Sequence, residues 1–263
     1  MKIVVAYAWA PDPQEASVGA DGQVDFSRAK PVVSEYDAVA IEVGRQLATA
    51  TSSALVGISV GGPATGTPVA TKAALSRGLD EVMVASDAAL ADAGTTRTAQ
   101  GLAAMVQRLG DVSVVLTGDS SVDSGSRMMP PVLAGLLGWP VLSDVQKVSV
   151  TADGVTVERL LREGVQQVSV TGPVVLALAS DATQPKAPGM KDVLAAGKKP
   201  VTKLEVADLG PAVAEGTVVS TAKLTGPARK GIVINTADPA AAAAELVGAL
   251  RAAGVIGSTG GQA

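Results

Sequence analysis

The stretch VSVVLTGDSSVDSGS, residues 112–126, decides the reading of the chain. Val112–Leu116 is a short β-branched run without charge, the composition of a strand buried on both faces. It opens at Gly118 into a loop of Gly, Ser and Asp that runs to Ser126. A helix follows, predicted from Pro131 to Leu137 and closed by Gly138. Strand, small-residue loop and helix together make the half-unit of a parallel sheet.

The unit recurs upstream. Lys2–Tyr7 is a strand ended by Pro11 and Pro13, with a polar excursion from Gly19 to Ser27. Asp37–Ala50 spaces Val39, Ile41, Val43 and Leu47 as an amphipathic helix. Ala54–Val60 is a second strand that runs into Gly61-Gly62-Pro63. Val69–Arg77 is a helix stopped by Gly78, Glu81–Val84 a strand, and Thr98–Leu109 a helix stopped by Gly110. The alternation predicts an α/β fold, a Rossmann-like parallel sheet flanked by helices. Ligands of such sheets sit beyond strand carboxyl ends, where strand order reverses. The loops after Tyr7, Val60 and Leu116 are therefore the candidate ligand loops.

The second half changes character. Val145–Val150, Val155–Leu160 and Gln166–Val170 alternate apolar and polar residues around an Asp153-Gly154 turn, predicting a small antiparallel extension. Pro173–Ala179 returns to a buried strand. Ser180–Lys203 reads as a long loop rich in Pro, Gly, Lys and Ala. Little periodicity survives from Gly210 to Gly231, and a connection that long inside a compact domain reads as an arm lying on a partner. Asp238–Ala253 is an Ala-rich helix with Asp238 as N-cap and Pro239 at N1. The tail GSTGGQA is expected to be disordered. The expected organisation is a nucleotide-binding domain over residues 1–204, with a partner-docking loop at about 180–200, and a C-terminal arm and helix over 205–263.

Composition narrows the chemistry. The 263 residues contain no His and no Cys, which excludes a Ser-His-Asp triad, a thiolate nucleophile, a Cys-based zinc site and iron–sulfur ligation. Nothing supplies a nucleophile beside a base, so no catalytic residue is assigned and no metal site is expected. Redox chemistry would have to travel on a borrowed organic cofactor. A net charge of −4 argues against nucleic acid. No apolar run reaches the roughly 18 residues of a membrane span. The N-terminus lacks a basic n-region and reads as mature sequence, and a cytoplasmic location is expected.

Each candidate residue has a bland reading beside the chemical one. Gly118–Ser126 is either a plain turn or a phosphate cradle of backbone N–H groups. It is neither GxxxxGK[ST] nor GxGxxG. Gly61-Gly62-Pro63-Ala64 is a tight turn or a close approach to an adenosine. Asp37 caps its helix or binds a ribose hydroxyl. Arg127 belongs to a run that seats the next helix, or it reaches a phosphate. Lys186, Lys191, Lys198 and Lys199 form a solvated basic patch, and Met190 among them is tucked into the core or offered to a partner. Trp9 and Trp139 pack, or stack on a ring.

At this point the chain resembles the β subunit of electron transfer flavoproteins, including the FixA-type branch. The most specific segment is Val157–Ala177, where Val157, Arg159, Glu163, Gly164, Gln166, Val168, Pro173, Val175, Leu176 and Ala177 fit the family signature. Arg162 departs from it. MKIVVAYAWAPDP resembles the family's opening strand, with Ala6 at the adenosine-contacting alanine and Ala8 where a lysine is usual. Ser34-Glu35-Tyr36-Asp37 stands at an Asn-Pro-Phe-Cys/Asp stretch, and Ser59-Val60-Gly61 at Ser-Cys-Gly. Ala73–Asp80, Ala134–Pro140, Pro185–Pro200 and Pro227–Gly231 also line up.

The resemblance implies a heterodimer with an FAD-bearing α subunit. The pair would carry electrons from dehydrogenases of the acyl-CoA type to a quinone reductase. FAD would lie mainly on α, and this chain would hold AMP or a second FAD. The implied nucleotide site takes Ala6, Tyr36 and Asp37, then Val60 and Gly61. It continues through Gly118, Ser120, Ser121, Val122 and Asp123 to Gly125, Ser126 and Arg127. Met190 and Lys191 would dock the donor. The family's Asn-Gln-Thr triplet is missing from the loop, which leaves the nucleotide's identity open. The alternative is a free-standing adenine-nucleotide-binding sensor, which would need neither arm nor docking loop.

Overall fold

The computed structural model describes residues 2–122, 125–151, 154–212 and 229–257. The β-branched runs of the first half form strands β1 (Lys2–Ala6), β6 (Ala54–Gly61), β7 (Glu81–Ser86) and β8 (Val112–Gly118). Between β1 and β6 lie two short antiparallel pairs. One joins β2 (Trp9–Pro11) to β5 (Pro31–Val33), the other β3 (Ser17–Val18) to β4 (Val24–Asp25). The second half supplies β9 (Val141–Thr151), β10 (Gly154–Leu161), β11 (Gly164–Val170), β12 (Val174–Leu178) and β13 (Val201–Leu204). The helices are α1 (Glu35–Thr51), α2 (Pro68–Leu75), α3 (Thr95–Leu109), α4 (Met129–Leu137), α5 (Met190–Ala196) and α6 (Pro239–Ala252).

Nine strands make one sheet in the order β11-β10-β9-β12-β8-β1-β6-β7-β13. From β9 to β13 neighbours run parallel, and β10 and β11 add the antiparallel extension. The central strands are buried on both faces, so they read as unbroken apolar runs rather than alternating ones. On one face Ile3, Val5, Val114 and Leu116 pack under α1 and α2. On the other Val4, Ala6, Val56 and Val115 pack under α3 and α4. One lysine caps the end of α3 and another braces the turn that follows α2. Lys2 Nζ reaches the Leu109 carbonyl at 2.7 Å, and Lys199 Nζ reaches that of Leu79 at 2.5 Å. Trp9 and Trp139 are half-buried packing residues at the edges of the two cores.

The segment read as a loop over Ser180–Lys203 is partly regular. It contains α5, whose entry is fixed by the Asp192 carboxylate accepting the Gly189 N–H at 2.9 Å, and the start of β13, which extends the sheet beside β7. Flanking Pro, Gly and Lys hid a helix of only seven residues. The chain divides into two compact units, residues 1–216 and 217–263. In the second, α6 begins as expected, with the Asp238 carboxylate accepting the N–H groups of Ala240 and Ala241 at 3.1 and 3.3 Å. Most of the expected arm, residues 213–228, and the tail from residue 258 lie outside the described residues.

Candidate functional site

Strand order reverses between β1 and β8. The chain first builds outward through β6 and β7, then α3 carries it back over β1 to β8. A cavity of about 240 Å³ opens at the carboxyl ends of these strands. Its lining includes Ala6 at the end of β1 and Ala8 after it, Val60 of β6, and Thr117 and Gly118 of β8. Thr95, Thr98 and Leu102 of α3 and Met129 and Pro130 of α4 face it from the other side. The space exists because positions 6, 8 and 10 are all alanine. The N-terminus of α3 brings orphan N–H groups and a positive dipole end to it, whereas α4, which opens Met129-Pro130-Pro131, contributes its dipole but has an N–H only at Met129 among those three.

Asp37 organises the reversal. One carboxylate oxygen accepts the Ala8 N–H at 2.8 Å, and the other accepts the Gly118 N–H at 3.1 Å. A single buried side chain thus ties the exits of β1 and β8 together. Burial pushes its pKa up to about 7, although both backbone N–H groups pull the other way. It therefore does not cap its own helix: the N-cap is Ser34, whose side chain makes no cap bond. Gly118 is needed beside it, because a Cβ there would stand 2.6 Å from the Tyr36 Cβ and 2.8 Å from the Asp37 carboxylate.

The loop after β8 folds on itself. The Gly125 N–H donates to the Ser121 carbonyl at 3.0 Å, and the Ser126 N–H to the Ser121 hydroxyl at 3.2 Å. Gly125 has φ +63°, which glycine adopts without strain. Ser120, Ser121, Val122 and Ser126 all border the cavity. Arg127 does not. Its guanidinium pairs with Asp119 at 3.0 Å and Asp144 at 3.3 Å. Burial raises the Asp119 pKa and the Arg127 charge opposes that rise.

Four buried side-chain polar atoms lack a partner among the described residues: the hydroxyls of Tyr7, Ser34 and Thr117, and Asp119 Oδ1. Tyr7, Ser34 and Thr117 line the cavity. A buried hydroxyl without a partner costs about 1–3 kcal/mol, so such a cluster marks a place prepared for a ligand or water.

Of the residues singled out from sequence, Ala6, Asp37, Val60, Gly118, Ser120, Ser121, Val122 and Ser126 converge on this cavity. Tyr36 instead lines a neighbouring groove of about 690 Å³, which shares Ser34 and Val122 with the cavity. Gly61 is the last residue of β6, paired with Ser86 of β7, and its carbonyl accepts the Asp87 N–H. Asp123 lies outside the described residues. Met190 is the first residue of α5, 79% exposed, and Lys191 follows it, also exposed. Thr95, Thr98 and Thr117 were not singled out from sequence. Their signal is topological: a helix that crosses back over β1 must bring its N-terminus to the reversal.

Among the described residues no cluster of acidic side chains could hold a metal ion, and no helix is long and apolar enough to cross a membrane. A family model described as the electron transfer flavoprotein domain matches residues 21–209.

Proposed function

Because the chain belongs to the electron transfer flavoprotein domain family, we propose that it is the β-type subunit of an electron transfer flavoprotein, an electron carrier and not a catalyst in its own right. In this reading it pairs with an FAD-bearing α-type subunit, accepts electrons from acyl-CoA-type dehydrogenases and delivers them to a quinone reductase. The observation that carries the proposal is the position of the cavity. It lies at the strand-order reversal inside the matched region, lined by unpartnered hydroxyls and two helix N-termini.

The residues present fit one nucleotide. Ala6, Ala8 and Val60 offer an apolar bed for a flat ring, and Thr117 and Ser34 offer hydroxyls. Ser120, Ser121 and Ser126 and the N-terminus of α3 would face a phosphate. About 240 Å³ is at the small end for a ligand pocket, which favours AMP, or the AMP half of FAD, over a whole dinucleotide enclosed by this chain. A bound flavin supplies the one- and two-electron chemistry that no side chain here provides. Asp37 holds the two strand exits together, Gly118 lets the backbone approach closely, and the small residues leave room for the ligand. Met190 and Leu194, one turn apart and both exposed on α5, give an apolar stripe suited to docking the donor. A cytoplasmic location accords with this role.

The test is to purify the full chain with and without a co-expressed α-type subunit, denature it, and identify the released small molecules by mass. A stoichiometric yellow complex that releases FAD, with AMP or a second FAD traced to this chain, is the expected result. A colourless monomer that releases neither would refute the proposal.

A further inference from the structure

Arg127 stands among residues of the cavity wall and does not line the cavity itself. Ser126 before it, and Met129 and Pro130 after it, are lining residues. The Arg127 side chain leads to the sheet instead. One terminal nitrogen donates to Asp119 Oδ2 at 3.0 Å and the other to Asp144 Oδ1 at 3.3 Å. Asp119 is the first residue after β8, and Asp144 belongs to β9. These strands are not neighbours. β12 lies between them, which sets them two strand spacings apart, about 10 Å. One guanidinium joins carboxylates from both, and its planar fork of separate donors suits that span.

The backbone of β9 is shaped to present Asp144. Its pairing with β12 steps from Leu142–Leu176 to Val145–Leu178, so β9 carries one residue more than its partner at Ser143–Asp144. Such a bulge re-aims a side chain out of the strand's alternation. Asp144 there has φ +57°, a left-handed conformation that Asp adopts more readily than most residues. Its second oxygen accepts the Ser143 hydroxyl at 2.9 Å. Ser143 is held in turn by Arg159 of β10, which donates to its carbonyl at 2.7 Å and to its hydroxyl at 3.4 Å. The carboxylate that receives Arg127 is therefore fixed from behind by the antiparallel extension.

On the loop side the bonds are short in sequence. The Gly125 N–H donates to the Ser121 carbonyl, the Ser126 N–H to the Ser121 hydroxyl, and the Met128 N–H to the Ser126 hydroxyl at 3.2 Å. These bonds shape the loop, and the Arg127 pairs attach it to the sheet.

We propose that Arg127 is a positioning residue: through Asp119 and Asp144 it pins the cavity wall of Ser121 and Ser126 to β9, and through that wall it governs how long a nucleotide stays bound. The second half of this statement rests on reading the cavity as a nucleotide site, and the first half does not.

The experiment measures backbone ¹⁵N relaxation of the full-length ligand-free protein and, by stopped flow, the dissociation of AMP. In Arg127→Gln the order parameters of Gly125, Ser126 and Met128 should fall from the rigid range, about 0.85, toward about 0.6, while those of Val114, Val115 and Leu116 in β8 stay rigid. AMP should leave about fivefold or more faster, with little change in its association rate. Asp144→Asn should give part of both effects in the native background and neither in the Arg127→Gln background, because the two residues act as one unit. Arg127→Lys should restore part of the rigidity, since an ammonium keeps the charge and loses the fork. Added salt should loosen the three amides in the native protein and not in Arg127→Gln, because Arg127 is exposed and its pairs are screened. Unchanged order parameters in Arg127→Gln, or effects of Arg127→Gln and Asp144→Asn that simply add, would overturn the proposal. So would a loss of AMP with no loosening of the wall, which would place Arg127 on the phosphate itself. Failure of the native protein to bind AMP would count against the nucleotide reading, while the relaxation of the ligand-free protein would still decide whether Arg127 pins the wall.

Discussion

Replacing Asp37 with Asn separates the cost of a buried charge from the value of the bonds it makes. In the native chain the carboxylate accepts the Ala8 and Gly118 N–H groups, yet burial raises its pKa from the ordinary 3.8 to about 7. The native state therefore binds this proton more tightly than the unfolded chain does. Between pH 4 and pH 7 the folded protein holds the proton while the unfolded chain has released it. Stability must then fall as pH rises through that window. The difference in proton affinity is worth about 1.36 kcal/mol per tenfold step, or roughly 4 kcal/mol over the window. Asn has the shape of the protonated acid and does not titrate. Relative to wild type, Asp37→Asn should therefore gain on the order of 2–4 kcal/mol between pH 4.5 and pH 8, after allowance for buried groups that relax.

The assay is urea unfolding of both proteins at half-unit pH steps, with the difference in unfolding free energy plotted against pH. Other titrating groups, Asp119 and Glu42 among them, are present in both proteins and cancel in the difference. At low pH Asp37→Asn should be slightly less stable, because its amide turns a donor toward a backbone N–H. A flat difference curve, within about 0.5 kcal/mol from pH 4.5 to 8, would refute the argument that burial dominates this carboxylate.

Three further substitutions test the same site and its surroundings. Gly118→Ala drives a Cβ to within 2.9 Å of the Tyr36 carbonyl carbon, so it should cost about 1–3 kcal/mol in urea unfolding and abolish nucleotide retention on gel filtration. Thr117→Val removes a buried hydroxyl without a partner, so the ligand-free protein should gain about 1 kcal/mol while nucleotide affinity, measured by calorimetry, falls about fivefold or more. Met190→Asp changes a residue that is 79% exposed, so the unfolding midpoint should stay within about 0.5 kcal/mol of wild type. The rate of electron acceptance from the donor dehydrogenase should drop at least tenfold, as expected for loss of an apolar anchor.

The parallel sheet was legible because its strands are buried on both faces, and such strands leave uninterrupted apolar runs such as Ile3–Val5 and Val114–Leu116. The ends of α3 and α4 were legible from Gly110 and Gly138, since a glycine after an apolar periodic segment has few other uses, whereas α2 stops at Leu75, short of Gly78. The site loops followed from the general rule that ligands gather at strand carboxyl ends. Asp37 was singled out, but its tie between two strand exits was not legible. Residues 8, 37 and 118 meet only because β8 pairs with β1, and no local pattern states that pairing. The tightness around Arg127 was hidden for the same reason: Asp119 and Asp144 lie 8 and 17 residues away on different elements. α5 was missed because a helix of seven residues leaves too little periodicity to stand out from Pro, Gly and Lys.

The position of Asp37 joins the fold's electrostatics to the proposed ligand site. Its carboxylate sits at the cavity wall and ties together the Ala8 and Gly118 backbones that border the ligand. An anionic phosphate bound near the Ser120–Ser126 loop would disfavour the ionised carboxylate further. Nucleotide binding and protonation of Asp37 must then be linked: a ligand that raises this pKa binds more tightly as pH falls through about 7. The same linkage requires proton uptake when the nucleotide binds near neutral pH. Asp37→Asn should abolish both effects together, because a non-titrating side chain leaves neither partner anything to exchange.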